Sequence, residues 1–571
     1  MKTENELRNT LRGIDHKSYP AYKQLSGVYG FGSYVLSIDH VQGDPFASPS
    51  SLHVEVSLSE AGFPSELYAD KAAKTAFCDY LTRCICKGFE KYNFKAKGSG
   101  KSGLISITRP NQTVMERSAC EIINGKLIVR FSVGFPAFGR TINSGELEKI
   151  LFAFLPRCVE ESLFYRTADV KALTAAVHLA EDQAALRELM KENGLVSFVA
   201  DGAILPRKSG VSDLPMKNSV EFSSPEELRV SFSLPHYGHI SGMGVKKGIT
   251  LIVGGGYHGK STLLEAMQMG VYNHIEGDGR EFVLTDATAV KLRAEDGRCV
   301  RNVDISMFIN DLPNKKDTTS FTTEDASGST SQAAGIIEGI ESGTGLFLID
   351  EDTSATNFMV RDKLMQKLIS REKEPITPFL ERARDLYERA DISTILVAGS
   401  SGAFFYIADT VILMDCYKPC DITAAVKAEC NEHDAPRIKA PDFKIPDFKR
   451  VLPRYKAPAE RGRQHEHMKL KVFGTESFSL GRENVNVRYL EQLEDAEQTA
   501  ALANLMRYGV ERITDGKRTV RECAEMIYEV LEKDGWRAFC SGYVPCGLAK
   551  PRIQELYACM NRFRGGMGDK G

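Results

Sequence analysis

A glycine-rich loop between an apolar strand and a helix constrains this chain more than any other feature. Gly254-Gly255-Gly256-Tyr257-His258-Gly259-Lys260-Ser261 fits the pattern GxxxxGK[ST]. Ile249 to Val253 reads as a buried strand ahead of it, and Thr262 to Met267 as a helix behind it. That order turns the loop N–H groups and the positive end of the helix toward a phosphate. Glycine lets the backbone approach without a Cβ in the way. Lys260 is expected to reach the β- and γ-phosphates, Ser261 to ligate Mg²⁺, and Thr262 to complete the cradle. A chance glycine loop is the alternative, and the flanking elements argue against it. Gly98-Ser99-Gly100-Lys101-Ser102-Gly103 imitates the pattern, but Lys95-Ala96-Lys97 stands where an apolar strand is needed. It reads as a flexible basic loop.

A second strand carries acid. Leu346-Phe347-Leu348-Ile349 runs into Asp350-Glu351-Asp352. Beside a phosphate loop, Asp350 is expected to hold magnesium through Ser261 or a water. Glu351 is expected to polarise the attacking water as general base. An acidic strand-to-loop turn would give the same string.

The 571 residues exceed one hydrophobic core, so several domains are expected. Four zones differ in texture: 1–160, mixed α+β; 161–435, alternating strands and helices of a parallel α/β sheet; 436–475, a basic Pro-rich connector; and 476–571, helical. In the first zone, 104–107 and 127–133 read as strands, with a hairpin turn at Gly125. A helix is expected from about Ser144 and another from about Thr167 to Asn193-Gly194. In the last zone, Thr519 and Glu522 make a capping box ahead of a stripe of Val520, Cys523, Ile527, Val530 and Leu531, which could pack against a partner.

No run of about 18 apolar residues exists to cross a bilayer, and the N-terminus lacks the apolar core of a secretory signal. With 13 cysteines, an odd number, reduced thiols and a cytoplasmic location are expected. A net charge of -3 excludes a molecule that attracts nucleic acid as a whole, leaving local patches.

Taken together, these motifs resemble the ABC ATPases. Ala326-Ser327-Gly328-Ser329-Thr330-Ser331-Gln332 falls where that family has its signature, and Thr353-Ser354-Ala355-Thr356-Asn357 where it has its D-loop. Ile407-Ala408-Asp409-Thr410-Val411-Ile412-Leu413-Met414-Asp415 is similar to its late strand. More narrowly, LIVGGGYHGKSTLLEAMQMGVYNHIEGDGRE, VDISMFINDLP and FVADGAILPRKSG resemble the predicted ATPases of the ABC class. The resemblance implies a P-loop core with an N-terminal α+β domain and a small helical C-terminal domain. It further implies ATP and Mg²⁺ as ligands. In a head-to-tail homodimer, Ser327, Gly328 and Ser329 of one copy would face the nucleotide on Gly254–Thr262 of the other.

The chain departs from that pattern in places. Ala326 and Ser329 replace a Leu and a Gly of the signature. The strand Thr394 to Ala398, where the family ends in a phosphate-contacting histidine, runs into Gly399-Ser400-Ser401-Gly402, and no histidine lies between His274 and His433. Ser400 or Ser401 could bond the phosphate but cannot carry imidazolium charge, so slow or partner-dependent hydrolysis is expected. Asn310 or Asp311 is the candidate for the magnesium-facing Q-loop, with Asn310 preferred.

Cys416, Cys420, Cys430 and His433 suggest zinc, against ordinary reduced thiols. The connector mixes Arg437, Lys439, Lys444, Lys449, Arg450, Arg454, Lys456, Arg461 and Arg463 with Phe443, Phe448 and Tyr455. That suits single-stranded RNA or another nucleic acid, or simply a hydrated linker. Lys95, Lys97, Lys101, Arg109 and Arg117 could add a second patch. The function expected is an ATP-driven clamp on a macromolecular client. The rivals are a nucleotide sensor with negligible turnover and the energy subunit of a transporter, the latter disfavoured by the extra terminal domains.

Overall fold

The computed structural model describes residues 1–361, 374–399, 401–432, 440–452, 454 and 468–565. Ser400, His433, Arg437, Lys439, Tyr455, Lys456, Arg461 and Arg463, singled out from the sequence, lie outside the described residues. The chain divides into two compact units: Met1–Glu181 with Asp534–Lys550, and Asp182–Lys533 with Pro551–Gly571.

The first unit is built on a mostly antiparallel sheet. Strands β1 (Gly27–Gly30), β2 (Val35–His40), β3 (Ser50–Ser57) and β5 (Lys126–Val133) are successive neighbours, with β4 (Cys120–Ile123) on the far edge of β5. Alternate residues Leu52, Val54 and Val56 of β3 are buried, as a strand with one covered face requires. They share a core with Phe77, Leu81, Ile85 and Phe89 of helix α1 (Lys71–Glu90). Each such side chain removed from water contributes about 1.5–3 kcal/mol. Asn124 and Gly125, with φ of 50° and 73°, form the two-residue turn expected between β4 and β5. The strand expected at 104–107 is reduced to Ile105–Ser106. Helical structure begins at Ser144 with Asn143 as cap, and the next helix, α2, runs Val170–Glu192.

Two expectations for this unit are corrected. The 98–103 loop is packed, not flexible. Ser102 is buried, and Gly103 donates to the Gly134 carbonyl (2.9 Å), where a Cβ at Gly103 would fall 2.0 Å from the Ala96 oxygen. Of the five basic residues, Arg117 is buried and so leaves the expected patch, while Lys95, Lys97 and Arg109 are exposed, Arg109 pairing with Glu90 at 2.7 Å. Asp534–Lys550, assigned from sequence to the C-terminal zone, belongs to this unit. Ser118 donates its N–H to the Leu548 carbonyl (2.9 Å) and its hydroxyl to that of Pro545 (2.7 Å), and the Lys550 N–H reaches the Glu116 carbonyl (2.9 Å).

The second unit holds two main sheets. Strands β6 (Leu195–Ala200), β7 (Arg229–Leu234), β8 (Gly238–Lys246) and β10 (Val283–Thr285) form an antiparallel sheet in the order β7-β8-β6-β10. The stretch from 195 to 246 therefore departs from the expected parallel pattern. The parallel sheet follows the order β11-β14-β15-β9-β16-β17: Val290–Leu292, Leu346–Asp350, Ser393–Val397, Ile249–Val253, Thr410–Asp415 and Lys418–Asp421, the last strand antiparallel. Its centre, β9, β14 and β15, is wholly buried, which explains their unbroken apolar sequences. Helices α3 (Lys260–Met269), α4 (Gly328–Glu341) and α5 (Phe379–Ala390) complete it, with an antiparallel pair β12 (Arg298–Val303) and β13 (Phe321–Ala326) leading into α4.

A three-stranded meander, Leu470–Phe473, Ser477–Leu480 and Glu483–Asn486, precedes the C-terminal helices α6 (Ala496–Tyr508), α7 (Val520–Asp534) and α8 (Ile553–Arg562). The capping box is present, since Thr519 and Glu522 each bond the other's backbone N–H (2.7 and 3.2 Å). Val520, Cys523, Ile527 and Leu531 are buried within the unit rather than exposed for a partner. Among the described connector residues, Phe443 is buried under the Arg389 guanidinium, and Arg450 is ion-paired to Glu341. Both serve the fold, whereas Lys444 and Lys449 remain exposed.

Candidate functional site

Ligands of open α/β sheets collect at the carboxyl ends of parallel strands. There β9 passes into the glycine loop. Gly254, at φ 141°, leaves the strand so close to β16 that a Cβ would sit 2.4 Å from the Met414 carbonyl oxygen. Gly259, at φ 96°, ends the loop, and α3 starts at Lys260. Lys260 Nζ donates to the carbonyls of Gly254 (2.8 Å) and Gly255 (2.7 Å), so its ammonium lies inside the loop. Tyr257 takes φ 64° and is 99% exposed. Ser261 is exposed and Thr262 half-buried on the first turn of α3.

The turn joining β16 and β17 braces this loop. Cys416 and Tyr417 both adopt positive φ (47° and 71°), which turns their N–H groups onto the loop. The Cys416 N–H donates to His258 Nδ1 (3.0 Å) and the Tyr417 N–H to the His258 carbonyl (3.1 Å). The zinc expectation is redrawn here: Cys416 gathers with His258 and Asp415, not with Cys420 and Cys430. Asp415 Oδ1 lies 3.2 Å from the same Nδ1. With that nitrogen already taken by a backbone N–H, the group reads as a clamp on the loop.

Two strands away, β14 ends in Asp350, which is buried, and its carboxylate accepts the Asp352 N–H (3.1 Å). Glu351 follows, half-buried, and its Oε2 accepts the Gly399 N–H (2.7 Å). Gly399 lies just past the end of β15, the strand between β14 and β9. Both carboxylates thus emerge on the same edge of the sheet as the glycine loop. Asn310 spends its side-chain N–H on the Ser306 carbonyl (2.7 Å) and its backbone N–H on Pro375 (2.8 Å).

The signature residues stand apart. Ser327 is exposed at the N-terminus of α4, Gly328 is half-buried, and Ser329 turns its hydroxyl inward to the Asn357 side chain (3.3 Å). Gln332 accepts the Ala355 N–H (2.9 Å) and donates to the Ser354 hydroxyl (3.0 Å), tying α4 to 353–357. Among the described residues, no hydrogen bond or ion pair joins 327–329 to 254–262. The brace at 415–417 and the bond from Gly399 escaped the sequence reading. Adjacent positive-φ residues leave little trace when neither is glycine, and a backbone donor leaves none.

Family profiles cover most of the chain. The N-terminal profile of the ATPases of the ABC class matches residues 4–166, and the P-loop domain profile of the ABC ATPases matches 169–450. This chain belongs to the ATPases of the ABC class. The MRB1590 C-terminal domain profile matches residues 469–567 of this ABC-class ATPase. An uncharacterized protein of Methanocaldococcus jannaschii is 32% identical over 252 residues, which are 42% of this chain. The match spans about half (54%) of that relative's length. Among solved structures, cbiO1 from Clostridium perfringens, part of an ABC transporter complex, is 13% identical, with a TM-score of 0.26 over 42% of this chain and 93% of its own. No helix among the described residues is long and apolar enough to cross a membrane.

Proposed function

We propose that this ABC-class ATPase binds Mg-ATP on Gly254–Thr262 and hydrolyses it slowly between two head-to-tail copies, each offering Ser327–Ser329 to the other's nucleotide. The observation that carries this reading is the arrangement at one sheet edge: a glycine cradle with an inturned Lys260, and Glu351 two strands away.

The cradle fits a polyphosphate. Gly254 leaves no room for a Cβ, and Lys260 rests on two neutral carbonyls that a phosphate would outbid with full charge. Ser261 and Asp350 offer hard oxygen donors that suit Mg²⁺, with Asn310 a weaker candidate. Magnesium would neutralise charge on the terminal phosphates. Glu351 would hold and deprotonate the attacking water. The Gly399 N–H, 2.7 Å from Glu351 Oε2, takes up an oxygen that the attacking water would otherwise use. Faster turnover requires that bond to lengthen, a step assigned to closure of the pair or to a client. Loss of the γ-phosphate removes the charge linking both copies, and they separate.

Single-stranded RNA is the first client to test, on the exposed Lys444 and Lys449. The Gly399 bond also favours a second reading: a sensor that binds ATP and recruits a protein with negligible turnover.

Steady-state hydrolysis in wild type, Lys260→Ala and Glu351→Gln, with and without single-stranded RNA, separates the two. The expected result is turnover abolished by Lys260→Ala, reduced about 10²–10⁴-fold by Glu351→Gln, and raised by RNA. Tight binding without turnover, unmoved by RNA, would replace the clamp with the sensor. A strict monomer of Glu351→Gln at saturating Mg-ATP would remove the head-to-tail pair.

A further inference from the structure

The signature turn is held by parts of the chain remote in sequence. A Cβ at Gly328 would meet Ala294 Cβ at 3.3 Å and Asp296 Oδ1 at 3.4 Å, so the loop 294–296 lies directly against it. Ser331, one turn into α4, is buried. Its hydroxyl donates to the Gly328 carbonyl (2.9 Å) and accepts the Glu295 N–H (2.9 Å). Glu295 in turn is ion-paired with Arg562, the last residue of α8, and Arg298 stands 3.9 Å away. Burial pushes the Glu295 carboxyl pKa up, but Arg562 and Arg298 outweigh it and hold the group below its usual range. The Arg562 carbonyl also accepts the Cys299 thiol of β12 (3.3 Å).

The opposite end of α4 is reached from the same place. The Arg450 Nε–H is shared between both Glu341 carboxylate oxygens (2.9 and 3.0 Å), and Arg450 Nη2 donates to the same carboxylate and to Asn561 (2.6 Å), the neighbour of Arg562. Two consecutive residues of α8 thus connect to both ends of the signature helix. A buried carboxylate has few ways to relax without its cation, so the position of the 294–296 loop depends on that pairing.

We infer that Arg562 is a positioning residue for the signature turn: through Glu295 and Ser331 it fixes Ser327–Gly328 in the orientation that receives a second copy's nucleotide. The C-terminal segment then governs whether ATP can close the pair. That consequence rests on the clamp reading, whereas the positioning itself rests on bonds within one chain.

The test uses the full-length chain. Arg562→Met leaves Glu295 buried without its main cation and can fail to fold, so the paired variant Arg562→Met/Glu295→Gln, which removes both charges, is measured beside it. For the paired variant, a melting temperature and monomeric ATP affinity close to wild type are expected. Amide exchange across 327–332 in the nucleotide-free protein should rise roughly tenfold. In a Glu351→Gln background, ATP-driven pairing should weaken by about tenfold or more, and Arg562→Lys alone should recover part of both effects. Unchanged exchange at 327–332 in a normally stable paired variant overturns the positioning role. Raised exchange with undiminished pairing overturns its consequence. A wild type that never pairs with Mg-ATP refutes the clamp instead, and the exchange measurement still decides the role of Arg562.

Discussion

The glycine loop and the signature turn are the two halves of the proposed site, and they are held in different ways. Short-range backbone geometry fixes the loop: Gly254 and Gly259 at positive φ, an inturned Lys260, and the 415–417 turn on the neighbouring strand. Buried charge fixes the signature turn and its helix, through Glu295, Glu338 and Glu341 held by Arg562, Arg298 and Arg450 from distant segments. Phosphate binding therefore needs little more than one strand, one helix and a neighbouring turn. Presenting the signature needs the C-terminal region in place. On the clamp reading, one half would bind the nucleotide and the other would be open to regulation.

Removing one partner of the buried charge network should produce the largest effect. Arg450→Met strands Glu341, whose side chain is 1% exposed, and should destabilise the second unit by about 3–5 kcal/mol in denaturant unfolding. Adding Glu341→Gln should recover most of that loss. A change below about 1 kcal/mol, the range of exposed pairs, would mean that the network carries little energy and that the two halves are less different than proposed. On the loop side, Gly254→Ala forces a Cβ against the Met414 carbonyl at φ 141°. A strain of about 1–3 kcal/mol is expected, expressed as weaker ATP binding rather than as unfolding of the unit. Nucleotide titration together with thermal melting distinguishes the two.

The same contrast explains what the sequence disclosed. The strand, glycine loop and helix around Gly254–Lys260 and the buried strand ending at Asp350 were legible because each is written in a few consecutive residues whose types the local geometry demands. The capping box at Thr519 and Glu522 and the turn at Asn124-Gly125 were legible for that reason too. The antiparallel sheet of 195–246 was not, since short strands read alike in either orientation. Nor was the docking of Asp534–Lys550 on the N-terminal unit, which depends on backbone bonds to Glu116 and Ser118 more than 400 residues away. Arg450 and Phe443 read either as nucleic-acid contacts or as part of a hydrated linker, because composition cannot show that Glu341 and Arg389 are their partners.

His258 offers the mildest test of the comparison. Its ring takes one backbone N–H, from Cys416, and its carbonyl takes another, from Tyr417. His258→Ala deletes the first bond and leaves the second, so about 1 kcal/mol of local stability is at stake. Hydrogen exchange should quicken at 254–259 and 416–417, while the melting temperature and the exchange of 327–332 stay near wild type. A loss as large as that of Arg450→Met would show that the loop depends on its surroundings as heavily as the signature does. Chelation sharpens the result, because the ring sits with Asp415 and Cys416. If the clamp is built from hydrogen bonds alone, a strong zinc chelator leaves the wild-type melting temperature unchanged. If a metal holds the three together, chelation lowers it in wild type and has no effect in His258→Ala.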